Sequence, residues 1–368
     1  MRVLVFGAGP LGSLMAARLH EAGHEVALLA RGQRLADLRN HGVVLQDEAS
    51  GEREVAHVPL VETLGSDDQY DLVMIVMRKN QVEAVLPALA ANPRVATYLF
   101  MMNSAEGPGP LVDAVGAERV LLGFPLPGGS RDGHVVHIVP VDEHVTYTLP
   151  IGEVDGRVRD RTRSVADLLG SMRGYEVEIR EDMDAWLKYH ACVTILALGP
   201  AVCAAGIDME RLARTRDLMI LSLRAMKEGF RGLRTNLGIP PAPRSFRLLE
   251  LMPEPVWVWV LRSRLRTGEA RSSIEGHSAA ARDEIEHVAE ELLSELHAAG
   301  VSTPAVETLL PYADPATPTW PDGARTIPMR WGGIVVPALV LAGLVTAARI
   351  AGSSARALRH APRSRRIR

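Results

Sequence analysis

The chain has 368 residues, which is enough for two domains that each bury a core. Hydrophobic residues make up 47% and charged residues 23% of it, a composition that excludes wholesale disorder and fibrous architecture. Its two cysteines, Cys192 and Cys203, exclude a disulfide scaffold and a multi-cysteine metal site, and no metal site is predicted. The formal net charge of −3 favours no nucleic-acid partner.

The basic residues are unevenly distributed. Residues 349–368 contain seven arginines and no acidic residue, so a basic tail follows an acidic body. Only three of the 41 basic residues are lysines, namely Lys79, Lys188 and Lys227. A general acid must release a proton, which an arginine side chain does not do in proteins. The lysines are therefore the basic candidates for proton transfer.

The chain begins with the pattern of a nucleotide-binding unit. The run Arg2–Phe6 predicts a strand, residues 13–22 a helix, and Glu25–Leu29 a second strand. The first turn reads Gly7, Ala8, Gly9, Pro10, Leu11 and Gly12, the G-x-G-x-x-G spacing. In this context the glycines permit the tight turn, the approach of a pyrophosphate and close helix packing, and the helix N-terminus offers N–H groups to phosphate. These six residues are predicted to bind a dinucleotide, and a purely structural turn is the alternative.

The end of the second strand favours NADP over NAD. Chains that bind NAD usually place an acid there for the ribose hydroxyls, whereas this chain has Ala30, Arg31 and Gly32. An arginine is suited to pairing with the 2′-phosphate of NADP. NADPH is therefore the predicted cofactor, and the alternative is that Arg31 is an ordinary solvated arginine.

Further buried strands are predicted at 70–77, 95–101 and 120–124, so residues 1–180 read as one doubly wound domain. Ligands of such sheets bind at the carboxyl ends of the strands. Arg78 or Lys79 is therefore predicted to hold phosphate, and Asn103 to bond the nicotinamide ribose or the substrate. Ordinary loop polarity is the alternative for each.

Residues 181–310 read as an all-α second domain. Their apolar residues recur with helical spacing, interrupted by the proline-rich break at 240–243. The predicted fold is an N-terminal Rossmann doubly wound parallel sheet followed by this helical domain, with the active site in the cleft between them. A helical domain of this length could also mediate a homodimer, which the sequence leaves open.

A series of motifs follows the glycine turn in a defined order. The opening G-A-G-P-L-G-S precedes L-L-A-R-G-Q-R-L, then Arg78 and Gln81, then Asn103. Later matches are a hairpin at 131–135, a strand at 151–153, an Asp-x-x-x-Trp-x-Lys helix at 182–188 and an acidic helix at 283–286 before Gly300. In order and spacing the series resembles the ketopantoate reductase (2-dehydropantoate 2-reductase) family over roughly residues 1–310.

The resemblance implies NADPH-dependent reduction of a 2-oxo acid, with Lys188 as the catalytic lysine. An ammonium at this position would stabilise and protonate the alkoxide left by hydride transfer. The alternative is a surface lysine that reaches to solvent. Glu284 is predicted to balance the charge of Lys188. The resemblance further implies that Glu284 bonds substrate or cofactor ribose, that Gly129 approaches the cofactor and that Ser272 contacts the substrate. For Glu284 the alternative is a solvated acidic helix face.

Two positions depart from the family, which places substrate-binding asparagines one and two helical turns after its lysine. Here those positions are Cys192 and Leu196, on the same helix face as Lys188. The polar clamp has become apolar, so recognition of ketopantoate itself is expected to be weak.

The C-terminal region has a different composition from the body. Residues 311–330 are proline-rich and predict a linker. Residues 331–348 are uncharged and would span about 27 Å as a helix. A membrane span, an interfacial anchor held by the arginines and a helix packed on the body are the alternatives for 331–368. The need for NADPH favours a cytoplasmic body.

The predicted function is therefore an NADPH-dependent reductase of a small-molecule 2-oxo acid or ketone. Two alternatives are a protein that senses NADP or acts as a scaffold without turnover, and an enzyme similar to opine dehydrogenases that joins an amine to an oxo acid.

Overall fold

A computed structural model of the protein describes residues 1–139, 146–265 and 281–331. Ser272 and the apolar and basic tail from residue 332 onward lie outside the described residues. The predictions made for them therefore stay predictions.

The first part of the chain forms two sheets. The strands are β1 Arg2–Phe6, β2 Glu25–Leu29, β3 Val43–Asp47, β4 Arg53–Ala56, β5 Leu60–Val61, β6 Leu72–Ile75, β7 Tyr98–Met101, β8 Val120–Gly123, β9 Gly129–Asp132, β10 Val135–Ile138, β11 Tyr147–Glu153 and β12 Tyr175–Ile179. Eight of them form the main sheet in the order β12-β11-β8-β7-β6-β1-β2-β5. Its neighbouring strands run parallel, except that β11 is antiparallel to β8. The chain turns to β2 on one side of β1 and to β6 on the other, which makes β1 and β6 the switch point where ligands of such sheets bind.

Burial explains why these short runs form central strands. Val3, Leu4 and Val5 are fully buried, and all four residues of β6 are buried as well. Strands without a polar face are typical of parallel sheets that are covered on both sides. The helices around the sheet are α1 Pro10–Glu21, α2 Gly32–His41, α3 Leu86–Ala90, α4 Gly109–Val115 and α5 Asp160–Gly170, with a 3-10 turn at Lys79–Gln81. The predicted Rossmann sheet is confirmed.

The second sheet has the order β4-β3-β10-β9, and only its hairpin β9–β10 was predicted, at 131–135. The hairpin β9–β10 is antiparallel, and β10 pairs parallel to β3 from far along the chain. It lies beside the glycine turn, because a Cβ built on Gly129 at the start of β9 would lie 3.6 Å from the Cβ of Pro10.

From Met183 onward the described residues form helices and loops. The helices are α6 Met183–Val193, α7 Gly199–Ala204, α8 Met209–Arg214, α9 Arg216–Arg231, α10 Phe246–Leu251, α11 Glu254–Arg264, α12 Arg282–Ala298 and α13 Pro304–Leu309, with π turns at Thr194–Leu198 and Gly232–Asn236 and a 3-10 turn at Leu310–Ala313. Helix α6 links two cores: Met183 and Leu187 pack with residues of the sheet, whereas Ala191 and Cys192 pack in the helical core. The predicted helical region is confirmed.

Residues 314–331 are packed against the helical region, which corrects the expectation of a linker. Fully buried Asp217 accepts hydrogen bonds from the backbone N–H groups of Thr326 and Ile327, at 2.8 and 3.1 Å. Asp322 pairs with Arg214 at 2.7 Å. This segment is therefore an extended strap whose polar groups bond α8 and α9, and not a free spacer.

Among the described residues, one helical run is long and apolar enough to cross a membrane, at Met183–Ala204. Within its apolar window 78% is buried inside the protein, which is the position of a core helix.

Candidate active site

The glycine turn between β1 and α1 has the geometry of a phosphate site. Gly7 has φ +121°, and a Cβ there would overlap the Val76 carbonyl oxygen. A Cβ on Gly12 would overlap the Gly7 carbonyl oxygen, so this position permits close packing of helix on strand. Gly9, by contrast, is exposed and faces open space, since nothing lies within 4 Å of a Cβ built on it. Pro10 starts α1 without any side-chain cap, which leaves the N–H groups of the first turn available to an anion.

Arginines surround the same turn. Arg34 donates to the Ala8 carbonyl oxygen at 3.0 Å and to Ser13 Oγ at 2.9 Å, so it holds the turn in place. Burial and the charge of Arg131 lower the pKa of Arg34 to about 10. Arg31 is exposed at the end of β2, with its guanidinium 5.8 Å from the centre of the Phe6 ring. The result is a cationic surface beside the predicted dinucleotide site.

Asn103 follows β7 at the same edge of the sheet. It is 6% exposed, and its buried Oδ1 has no hydrogen-bond partner among the described residues. An unsatisfied buried acceptor is costly, which is the position expected of a group that a ligand completes.

Lys188 is buried rather than solvated. Its side chain is 5% exposed, and its Nζ donates to the Ala105 carbonyl oxygen, two residues after Asn103. The same Nζ lies 3.1 and 3.0 Å from the two carboxylate oxygens of Glu295 on α12. The ammonium thus sits between the loop after β7 and the helical region, at the predicted domain boundary.

The carboxylate that pairs with Lys188 is Glu295, which corrects the prediction that Glu284 balances the charge of this lysine. Glu284 contacts the loop after β6. This buried carboxylate accepts the backbone N–H of Lys79 at 3.2 Å. The neighbouring Asp283 pairs with Arg78 at 2.9 Å. Burial acts against ionisation of Asp283, but the hydrogen bond from Asn80 and the charge of Arg78 hold its pKa below the usual range. The start of α12 is therefore bound to the loop after β6.

Sequence reasoning missed two further members of this cluster, Glu291 and Glu295. Glu291 lies 3.3 Å from the Nζ of buried Lys79, which also pairs with Glu106. Glu284, Glu291 and Glu295 are spaced i, i+7 and i+11, which places them on one helix face. That spacing is the signal that could have separated them from their solvent-facing neighbours.

Cys192 and Leu196 lie in the helical core. Both are fully buried, and a Cβ built on Gly229 of α9 would lie 2.6 Å from Cys192 Sγ and 3.3 Å from a Leu196 methyl carbon. Burial raises the pKa of the Cys192 thiol, against the charge of Lys188. The side chains that replace the family asparagines thus pack between α6 and α9.

The described residues hold no cluster of histidine, cysteine and acidic side chains that could bind a metal ion. The arrangement does fit a dinucleotide: an open glycine, uncapped amides, adjacent guanidiniums and an unsatisfied asparagine follow parallel strands at one edge of the sheet. A buried ammonium lies on the helical side of that edge. Fold and site together define a Rossmann-type oxidoreductase with a helical second domain.

Comparisons with known proteins agree with this class. Residues 3–147 match the family model for ketopantoate reductase PanE/ApbA. The 2-dehydropantoate 2-reductase of Archaeoglobus fulgidus is 26% identical over 230 residues, which cover 62% of this chain and 72% of that protein. The uncharacterized oxidoreductase YkpB of Bacillus subtilis is 26% identical over 197 residues, 51% of this chain and 61% of that protein, so the match spans less than two thirds of it.

Solved structures share the fold. A ternary structure of D-mandelate dehydrogenase with NADH and anilino(oxo)acetate superposes with a TM-score of 0.68 at 16% identity, over 85% of this chain and 97% of that one. Residues 3–147 thus match the ketopantoate reductase family of oxidoreductases, and the curated relatives extend this similarity to 65% of the chain.

Proposed function

We propose that the protein is an NADPH-dependent reductase of a 2-oxo acid or a related ketone, with Lys188 as the general acid. The observation that carries the proposal is the position of Lys188. It is a buried ammonium that bonds Ala105 beside the unsatisfied Asn103, at the edge of the sheet where the glycine turn opens. Similarity to the ketopantoate reductase family supports an oxidoreductase. The choice of NADPH is inferred from Arg31, and the role of Lys188 is inferred from the family resemblance together with its buried position.

In this proposal the glycine turn and the α1 N-terminus hold the pyrophosphate, as the open face of Gly9 permits. Arg31 pairs with the 2′-phosphate, because the strand end carries no competing acid. Asn103 bonds the nicotinamide ribose or the substrate, and Gly129 leaves room next to Pro10. The cytoplasm, where NADPH is supplied, is the compartment we propose.

When bound, a reduced nicotinamide supplies a hydride for the carbonyl carbon of the substrate. Lys188 then has two tasks at the carbonyl oxygen: its positive charge stabilises the negative charge that develops there, and its Nζ releases the proton that yields the alcohol. Glu284 anchors the helical domain to the loop of Lys79 and closes the cleft around the reacting group. Exclusion of water by this closure strengthens the interaction of the ammonium with the developing charge.

The proposed substrate is a small 2-oxo acid or ketone other than ketopantoate. Cys192 and Leu196 offer no amide where the family has asparagines, so recognition of ketopantoate is weakened. Oxo acids with aromatic or branched apolar side chains are the first to test. The burial of Cys192 and Leu196 against Gly229 argues against direct substrate contact by these two side chains, and Ser272 remains a candidate for substrate contact.

The experiment is NADPH oxidation by the full chain with ketopantoate and a panel of apolar 2-oxo acids. Lys188→Met should lower kcat by about a hundredfold or more and leave NADPH binding intact. Lys227→Met is the matched control, since Lys227 lies on α9 and bonds the Met252 carbonyl oxygen away from Lys188.

Two other outcomes of the same experiment would each indicate a different function. Tight NADPH binding with no turnover of any oxo acid would identify a sensor or scaffold. Turnover that requires an added amine would identify an enzyme that couples amines to oxo acids.

A further inference from the structure

The acidic face of α12 contacts both buried lysines of the site. Glu284 and Glu295 lie eleven residues apart, which is about 16 Å along a helix. One carboxylate therefore cannot reach both the Lys79 loop and Lys188, and a different glutamate contacts each of them. Glu284 bonds the backbone of Lys79, whereas Glu295 meets Lys188 with both carboxylate oxygens, at 3.1 and 3.0 Å.

Ala105 links Lys188 to α12 through both of its backbone polar groups. Its carbonyl oxygen accepts from Lys188, and its N–H donates to Glu291 at 3.2 Å. Glu291 also accepts the N–H of Glu106 at 3.4 Å. Glu291 and Glu295 are one turn apart on α12. The helix thus holds the loop that carries Asn103 and the ammonium of Lys188 in one fixed relation.

Burial makes a partner for Lys188 necessary. An ammonium that is 95% buried is costly unless a carboxylate pairs with it. The acidic groups that face Lys188 are Asp184 one turn earlier on α6 and Glu295 on α12, and the Cys192 thiol lies one turn later. Burial raises the pKa of the Asp184 carboxyl, Lys188 opposes this and the charge of Glu295 adds to it. Glu295 is the carboxylate that meets the ammonium directly, with both oxygens within 3.1 Å of Nζ.

We propose that Glu295 is the counter-ion and positioning residue of Lys188, and that Glu291 fixes the Asn103 loop against it. This inference rests on the proposed function, because it assigns the support of the general acid in that reaction. Glu295 acts through Lys188 and touches no reacting atom. Its side chain is 34% exposed, so Glu295→Gln removes the charge without creating a buried cavity.

The test uses the small number of lysines. Protein labelled with carbon-13 at lysine Cε has three lysine signals, from Lys79, Lys188 and Lys227, which Lys→Arg variants assign. Glu295→Gln should move the Lys188 signal and leave that of Lys227 unchanged. Glu290→Gln, an exposed change on the same helix, is the control and should move none of them. An unmoved Lys188 signal in Glu295→Gln would overturn the proposal.

Kinetics test the positioning role separately. Glu295→Gln should lower kcat by about tenfold or more without changing the KM for NADPH, and Glu295→Asp should restore part of the rate. Normal kcat in Glu295→Gln, despite a moved Lys188 signal, would overturn the positioning role. If the wild-type protein turns over no oxo acid, the proposed function and the positioning role both fail, and the signal shift alone would show that the ion pair exists.

Discussion

Glu284 accepts a hydrogen bond from the backbone N–H of Lys79 at 3.2 Å, between residues that lie 205 positions apart in the chain. The bond ties the first turn of α12 to the loop after β6, at the switch point of the sheet. Arg78 and Asp283 reinforce it with an ion pair at 2.9 Å. The helical region is thereby held over the edge where the glycine turn and Asn103 lie, which is the geometry that a cleft enzyme requires.

Arg31 is expected to select the cofactor. Arg31→Ala should weaken NADPH binding by about tenfold to a hundredfold, the effect of losing a charge-assisted hydrogen bond. NADH binding should change little, since NADH has no 2′-phosphate. The measurement is the dissociation constant of NADPH and of NADH for the wild type and for Arg31→Ala. Arg39→Ala, on the exposed face of α2, is the control. Equal losses for NADPH and NADH would show that Arg31 does not contact the phosphate.

Two glycines of the turn should respond oppositely to the same added methyl group. Gly9→Ala adds a Cβ with no neighbour within 4 Å, so thermal stability should be unchanged while NADPH binding weakens by about tenfold or more. Gly12→Ala drives a Cβ into the Gly7 carbonyl oxygen, so stability should fall by about 1–3 kcal/mol. Thermal unfolding and dinucleotide titration of both variants separate the effects. Undiminished NADPH binding by Gly9→Ala would place the pyrophosphate elsewhere.

The raised pKa of Asp184 predicts a pH-dependent gain in stability on its removal. Burial is the main cause of the shift. Because the folded protein holds this proton more tightly than the unfolded chain does, ionisation of Asp184 costs stability as pH rises through the raised value. Asp184→Asn should therefore increase Tm, relative to wild type, more at about pH 7 than at about pH 4. Exposed Asp132→Asn is the control. A loss of stability in Asp184→Asn that is larger at neutral pH would contradict this sign.

The strap over 314–331 is expected to be part of the folded unit. Asp217→Ala should lower the free energy of unfolding by about 3 kcal/mol, because it leaves the N–H groups of Thr326 and Ile327 without their acceptor. A chain that ends at residue 331 should unfold at a higher temperature than one that ends at residue 314. Equal midpoints for the two truncated chains would restore the linker interpretation.

Local patterns were sufficient to predict the sheet domain. The glycine turn, the strands β1, β2, β6, β7 and β8, and the presence of a helical second domain follow from apolar runs and turn residues that are close together in sequence. Beyond its hairpin, the second sheet was missed because β3 pairs with β10, whose residues lie about ninety positions away, and such pairings leave no local signal.

The candidate site was predictable only in part. The motif positions identified Lys188 and Glu284, but not which carboxylate meets which lysine, since Glu290 and Glu295 look alike on an acidic helix until the facing surface is known. The same limit applies to Cys192 and Leu196, whose contact with Gly229 depends on how closely α9 approaches α6. The prolines of the strap indicated an extended chain. Its contacts with α8 and α9 depend on tertiary structure, which the local sequence does not show.

The most direct test of hydride transfer uses NADPH that carries deuterium at both hydrogen positions of the nicotinamide C4, incubated with the full chain and the panel of 2-oxo acids. We expect a hydroxy acid with one deuterium at the former carbonyl carbon, formed at a rate that Lys188→Met lowers by about a hundredfold or more. NADPH that binds but passes no deuterium to any oxo acid would contradict it.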